Sequence, residues 1–241
     1  MDPEHLTAAN TRKRSLRDTL SATGVAGDDD HDEESRSRRH IAAVRKEQYF
    51  VESLLTSRLH RHTKSPTLWN HRRWLLELCR NQSIELAGTN IGNDLTGIVM
   101  VSGERHPRNY YAWNHARWLW LSTRWQPNEQ QQQQQELCRN IKDWCLKHHG
   151  DISGWTFLSF AMSRIADSQE RADVCNEVAR DVLGIAESFR WTGESVWVFL
   201  RGLLAARLLD EENARSFQML HAKLAPPVAC RVVESYKLST S

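Results

Sequence analysis

Residues 109–118 read NYYAWNHARW, and residues 65–76 repeat the pattern as SPTLWNHRRWLL. Shorter copies, DISGW at 151–155 and GESVW at 193–197, follow in the same register. The copies share an anchoring tryptophan, which recurs at intervals of 44, 42 and 42 residues: Trp69, Trp113, Trp155 and Trp197. Self-similarity at a fixed period of this size is the sequence signature of a helical repeat protein.

The residue four positions before each tryptophan is of a type favoured at the N-terminal cap of a helix. These residues are Ser65, Asn109, Asp151 and Gly193. A serine, asparagine or aspartate side chain accepts a hydrogen bond from a free amide of the first helical turn, and glycine is tolerated there. Pro66 then occupies the first helical position, where its missing N–H costs nothing. Each copy is therefore predicted to begin a helix with the tryptophan in its second turn.

Two further positions, seven and four residues after each tryptophan, also recur at helical spacing. Seven residues on, apolar side chains predict a core stripe: Leu76, Trp120, Met162 and Leu204. Four residues on, the chain has Arg73, Arg117, Ser159 and Arg201. An arginine there can stack on an indole ring or bridge to the next repeat. We interpret all these positions as structural.

A second helical stretch follows each anchoring tryptophan, predicted at 94–105, 136–149, 168–189 and 212–224. One helix pair per repeat predicts an all-α fold, an α-α superhelix built as a solenoid of antiparallel helix pairs. The segment 98–101, IVMV, could be a strand in isolation, but between helices it indicates a buried helix. The glutamine run at 130–135 is interpreted as a loop or a helix-end expansion that packs against nothing in particular.

The first 40 residues differ in composition from the rest. They are poor in large apolar side chains and carry a basic cluster at 12–17 and an acidic run at 28–34. Such a segment buries too little surface to offset the entropy of ordering it. We predict a disordered charged tail over 1–40 and a helical-repeat domain over 41–241. The basic cluster could be a nuclear-localisation or nucleic-acid patch, although a solvated tail is the preferred interpretation.

The charge balance and the cysteines limit the class of protein. Thirty-two Lys and Arg face 30 Asp and Glu, so the net charge of +2 gives no reason to expect nucleic-acid or membrane-surface binding. Five scattered cysteines without a CxxC pair indicate reduced thiols. No apolar stretch approaches the ~20 residues that span a bilayer. The chain is expected to be soluble and cytoplasmic.

Four residues near one another in the sequence are of the types that bind zinc: Cys138, Cys145, His148 and His149. Cys145 and His148 could share a helix face with Cys138. No well-spaced acidic or histidine residue completes the set, and half-buried helix positions explain it better, so no metal site is predicted. We find no nucleophile with a paired base and no phosphate-binding glycine loop.

The sequence NYYAWNHARW resembles the NYxAWxxRxW signature of the protein prenyltransferase α-subunit repeat. Residues 194–203, ESVWVFLRGL, resemble the last repeat of that family, and residues 65–76 are most similar to its divergent branch called protein prenyltransferase α-subunit repeat-containing protein. The resemblance covers roughly residues 60 to 205. It departs from the family at Ser159, and no repeat is recognisable before Trp69.

The resemblance implies an α subunit that wraps around an α-barrel β subunit, which holds the zinc and most of the isoprenoid and peptide pocket. The α subunit binds no cofactor and is inactive alone. The family's Lys-Asn-Tyr is here Arg108-Asn109-Tyr110, so Arg108 and Tyr110 become candidate catalytic residues beside the isoprenoid diphosphate. Arg108 could instead be an exposed charge before the cap. The implied reaction transfers farnesyl or geranylgeranyl to a protein cysteine, and the alternative is a non-catalytic scaffold for a protein partner.

Overall fold

Helices account for the regular structure of this chain, as the apolar periodicity predicts. A computed structural model describes residues 2, 4–21, 30–84, 90–126 and 129–224, and those residues contain no strand. The all-α prediction is confirmed. The chain divides into a first unit, Met1–Leu119, and a second unit, Trp120–Ser241.

The helices of the first unit begin before the tryptophan repeats. They are α1 Leu6–Ser21, α2 Asp30–Leu55, α3 His60–Thr63, α4 Pro66–Asn81, α5 Ile91–Asp94, α6 Met100–Arg105 and α7 Tyr110–Ser122, which extends past Leu119. A π-helical segment, Leu95–Val99, joins α5 to α6. The second unit contains α8 Gln130–Lys147, α9 Ile152–Ser163, α10 Ser168–Ser188, α11 Glu194–Ala205 and α12 Glu211–Leu224.

The predicted caps are present at the start of all four tryptophan helices. The Ser65 hydroxyl accepts a hydrogen bond from the Leu68 amide, and the Asp151 carboxylate accepts from the amides at 153 and 154. The Asn109 side-chain oxygen accepts from the Ala112 amide at 3.3 Å. Gly193 caps α11 with no side chain. The side-chain contacts fix where α4, α7 and α9 begin.

All four anchoring tryptophans are buried, as predicted. Three indole N–H groups donate to the backbone carbonyl six residues earlier: Trp69 to Thr63, Trp155 to His149 and Trp197 to Trp191. Within each unit the ring also packs on the next tryptophan helix, since Trp69 lies 5.1 Å from His115 and Trp155 lies 4.8 Å from Phe199. Trp69 and Trp155 thus each join the start of their own helix to the next tryptophan helix of the same unit.

The side chains seven and four residues after each tryptophan differ in burial and contacts from repeat to repeat. Leu76, Trp120 and Met162 are buried, whereas Leu204 is only half-buried. Arg73 lies over the Trp118 ring at 5.0 Å, which links the first repeat to the second. Arg117 is half-buried, with its guanidinium 3.5 Å from the Trp113 carbonyl, and burial lowers its pKa.

The second helices are confirmed, with two changes at their starts. Residues 98–101 lie in the buried helical stretch, but the helix begins earlier, at Ile91, where the Asn90 side chain caps it. Helix α8 begins at Gln130, so the glutamine run is a helix end. The expectation that this run packs against nothing is wrong. Gln134 is buried because it shares a face with Leu137 and Cys138, and Gln135 donates to Glu170 at 2.9 Å.

The prediction of a disordered tail is wrong for the residues that form α1 and α2. Helix α1 packs on α2 and α4 by burying Leu16 and Leu20 in one core with Val44 and Leu75. Two leucines spaced four apart suffice because they dock on an apolar face that other helices already provide. This helix pair, which lacks a tryptophan, precedes the first repeat.

An ion pair holds α1 to α2. The Arg12 guanidinium donates twice to the Glu47 carboxylate, at 2.9 and 2.6 Å, and His71 Nε2 lies 3.1 Å from the same carboxylate. Burial alone would raise the pKa of Glu47, but the hydrogen bonds from His71 and Arg12 outweigh it and hold the pKa below its ordinary value. Part of the predicted basic cluster therefore has a structural partner.

Candidate functional site

A groove of about 160 Å³ lies between α4 and α7, within the first unit. The same repeat positions on the two helices contribute to it: Asn70 and Asn114 follow the anchoring tryptophans by one residue. Tyr110 and Tyr111 line it from the start of α7, and Arg73, His115 and Trp118 complete its wall. We call this the α4–α7 groove.

The three residues of the predicted tripeptide, Arg108-Asn109-Tyr110, lie in different surroundings. Asn109 is fully buried, capping α7 and donating from Nδ2 to the Thr63 carbonyl at 2.8 Å. Tyr110 lines the groove and is 63% exposed, with its ring edge-on to Tyr111 at 5.7 Å. Arg108 is exposed, lies outside the groove lining, and has left-handed backbone with φ 58°. Its catalytic role stays a prediction.

Asn70 and Asn114 present unused hydrogen-bonding groups to the groove. Both side chains are exposed, and neither forms a hydrogen bond with any residue in the described ranges. Each amide offers one acceptor oxygen and two N–H donors. Neither asparagine was predicted as a site residue, although the identical Asn-His pair after Trp69 and Trp113 is a signal that could have identified them.

Two arginines lie beside Trp118, one of the residues that line the groove. The guanidinium groups of Arg73 and Arg80 lie 5.0 and 5.6 Å from its ring centroid. Arg73 also donates from Nε to Glu77 at 2.9 Å, and its other N–H donors can bind a ligand. None of the residues that line the groove is acidic. This side of the groove therefore favours an anion.

His115 lines the groove as an uncharged group. Its Nε2 lies 2.8 Å from Arg72 Nη1, and since a guanidinium only donates, Nε2 is the acceptor and the ring proton is on Nδ1. Burial, with the charges of Arg72 and Arg73, places the pKa of His115 well below its ordinary value.

A buried ion cluster lies behind His115. Arg72, 1% exposed, donates from Nη2 to Glu52 at 2.9 Å and to Asp94 at 2.6 Å. Burial raises the pKa of Asp94, and Arg72 opposes that rise. The cluster joins α2, α4, α5 and α7, so it holds the walls of the groove in place. His71 and Arg72 lie within the repeat, but no feature of the sequence indicates that Arg72 is buried.

The residues that were weighed as zinc ligands have other roles. Cys138 and Cys145 are fully buried, which raises the pKa of the Cys138 thiol to about 12 and that of Cys145 well above its ordinary value. His148 stacks on Trp144 at 4.2 Å, and His149 stacks on Trp191 at 4.5 Å. Across the described parts of the chain, no three His, Cys, Asp or Glu side chains are grouped so that they could hold a metal ion.

Membrane insertion was also weighed from the sequence. Within the ranges that the structure describes, none of the helices combines the length and the apolar character needed to cross a bilayer.

Comparison with known proteins gives two family matches. The protein prenyltransferase alpha subunit repeat matches residues 53–79, which include Trp69 and Arg73, and this confirms the resemblance predicted from the repeat. The ECM9 middle domain matches residues 68–188, just over half of the chain, from the first turn of α4 to the end of α10. No curated protein matches the chain. The chain belongs to the ECM9 middle domain family, and the segment around its first anchoring tryptophan is similar to the protein prenyltransferase alpha subunit repeat.

Proposed function

We propose that this chain is an α-subunit-like component of a heterodimeric protein prenyltransferase, which acts in the cytoplasm and transfers farnesyl or geranylgeranyl to a protein cysteine. The proposal rests on the exposed Tyr110–Tyr111 pair at the start of α7. In the same motif Asn109 and Trp113 are buried in the fold, whereas the two tyrosines are 63% and 39% exposed. Exposed tyrosines beside a groove are typical of a protein-binding surface.

The size of the groove supports a role shared with a partner. Pockets that enclose a small molecule measure roughly 300–1,000 Å³, whereas the α4–α7 groove measures about 160 Å³. As the resemblance implies, the isoprenoid pocket and the zinc ion would belong to a β subunit, and we propose that it docks against this surface. Arg108, exposed next to Tyr110, would place a positive charge where the diphosphate leaving group gains negative charge.

The test is recovery of the partner followed by an activity measurement. Affinity purification of the chain from cell extract should recover a prenyltransferase β-type subunit, identified by mass spectrometry. The complex should transfer a fluorescent prenyl group to a protein thiol. Arg108→Ala should slow transfer while leaving the heterodimer intact, and Arg108→Lys should restore much of the rate. Recovery of no such subunit would refute the enzyme proposal.

A matched pair of tyrosine variants tests the docking surface. Tyr110→Ala should weaken binding of the β subunit about tenfold or more, as loss of a central tyrosine does at protein interfaces. Tyr49→Ala is the control, because Tyr49 is 77% exposed on α2 and lies outside the groove. Equal effects of the two variants would contradict docking at Tyr110.

A non-catalytic scaffold is the second candidate, favoured by Asn70 and Asn114. Their amides face the groove without partners among the described residues, and prenyl transfer gives them no role. A scaffold would bind a protein segment there with no chemistry. Stable capture of a partner that lacks a prenyltransferase β subunit, together with no transfer activity, would favour this candidate.

A further inference from the structure

We propose that the α4–α7 groove binds an extended, acidic segment of a partner protein, with its main chain held by Asn70 and Asn114 and a carboxylate held beside Trp118. The proposal deepens the proposed function, since it rests on the groove being a partner-binding surface, and it names the chemistry of the segment bound there.

The first argument is the pair of asparagines. They occupy the same repeat position on α4 and α7, line the same groove, and make no hydrogen bond within the described residues. A primary amide can accept from a backbone N–H and donate to a backbone C=O. Two such amides on successive repeats suit a ligand whose donors and acceptors also repeat, and an extended polypeptide has that property.

The second argument is charge. Arg73, which pairs with Glu77 through Nε only, lines the groove, Arg80 lies on the same indole, and the described residues that line the groove include no Asp or Glu. His115, which could have added a further charge, is held neutral by burial and by Arg72. The cationic part of the groove is therefore localised at Trp118, where a guanidinium can bind one carboxylate in a bidentate manner.

The third argument is size. A volume of about 160 Å³ is below the range of small-molecule pockets and suits a side chain of a bound peptide. Tyr110 and Tyr111 provide a rigid apolar edge against which a neighbouring apolar side chain can pack. The expected ligand thus combines an Asp or Glu with an apolar residue close by.

The test uses a phage-displayed library of random dodecapeptides selected on the full chain. Enriched peptides should share an acidic residue near an apolar one. A fluorescein-labelled synthetic copy should bind the wild-type chain, and fluorescence anisotropy should show at least tenfold weaker binding to the Asn70→Ala, Asn114→Ala double variant. Asn140→Ala, an exposed asparagine of α8, should bind like the wild type.

The charge is tested separately. The double variant Arg73→Gln, Arg80→Gln should bind the acidic peptide about tenfold more weakly than the wild type does. It should bind a version of the peptide with Gln in place of Glu about as well as the wild type binds that version. Circular dichroism checks that each variant is folded, which is expected because these side chains are exposed. Enrichment of basic peptides, equal binding by wild-type and double-asparagine chains, or blockade of the groove by a labelled oligouridylate would overturn the proposal.

The outcomes also separate this inference from the proposed enzyme. A selection that enriches no peptide, with a β subunit recovered and active, overturns only the peptide-binding inference. Enriched acidic peptides without any β subunit refute only the prenyltransferase proposal.

Discussion

Trp69 and Asn109 donate to the same acceptor, the backbone carbonyl oxygen of Thr63. The Trp69 Nε1–H reaches it at 2.7 Å and the Asn109 Nδ2–H at 2.8 Å. Trp69 belongs to the first repeat and Asn109 caps the helix of the second, so one carbonyl at the end of α3 joins two successive repeats. Asn109 therefore has two roles, because its oxygen caps α7 and its nitrogen bonds to α3.

Asn109→Asp separates these two roles. The aspartate keeps the capping oxygen but loses the N–H donor and points a buried negative charge at the Thr63 carbonyl. We expect a loss of roughly 1–3 kcal/mol in the free energy of unfolding, measured by urea denaturation. Asn90→Asp is the control, since Asn90 is an exposed cap whose side-chain oxygen accepts from the Asn93 amide and whose side-chain nitrogen has no partner among the described residues. It should change stability by less than about 0.5 kcal/mol.

Gly154 and Gly184 give a second matched pair. A Cβ atom at Gly154 would lie 2.6 Å from a ring carbon of Trp144, whereas nothing lies within 4 Å of one at Gly184. We expect Gly154→Ala to destabilise the chain by about 1–3 kcal/mol through overpacking. Gly184→Ala, in the exposed interior of α10, should stabilise it by about 0.5–1 kcal/mol. Thermal unfolding of the two variants should shift in opposite directions.

Removal of Arg72 should destabilise the folded chain, because it leaves a buried carboxylate without its cation. Arg72→Met leaves Asp94 buried without its cation, so we expect the free energy of unfolding to fall by about 3–5 kcal/mol, measured by urea denaturation. Adding Asp94→Leu should recover part of that loss, because the stranded carboxylate is gone. Arg73→Met, one residue along the chain but half-exposed, should cost about 0.5 kcal/mol or less. If Arg72→Met lowers the free energy of unfolding no more than Arg73→Met does, the cluster does not stabilise the fold.

His115 should make stability depend on pH. Its pKa in the folded chain is lower than the ordinary value of 6.5, so below about pH 6.5 the unfolded chain takes up a proton that the folded chain does not. Stability therefore falls as the pH drops from 6.5 toward the folded pKa, with a slope of at most roughly 1.4 kcal/mol per pH unit. The melting temperature should fall between pH 7.5 and 5.5. His115→Gln keeps an acceptor for Arg72 and should flatten this dependence.

The groove shows what a repeat pattern can and cannot predict. Alignment of residues 65–76 with 109–118 selected Asn109 and both tryptophans, because the fold reuses those positions, whereas Tyr110 was selected through the family resemblance. It did not select Asn70 or Arg80, whose significance depends on which neighbour lies nearby in space. Arg108 is a residue that the family motif points to, yet the groove is lined by Tyr110 and not by Arg108.

The sequence by itself determined the helical class, the four tryptophan helices with their cap residues, and the resemblance to the protein prenyltransferase alpha subunit repeat, because caps, helical spacing and a tryptophan period are local or repeated signals. Only the tertiary structure decided that residues 6–21 form a packed helix, that Gln134 is buried, and that Arg72 meets Asp94 and His115. Those outcomes depend on surfaces provided by residues far away in the chain. Burial and charge pairing are properties of such surfaces, and no local pattern encodes them.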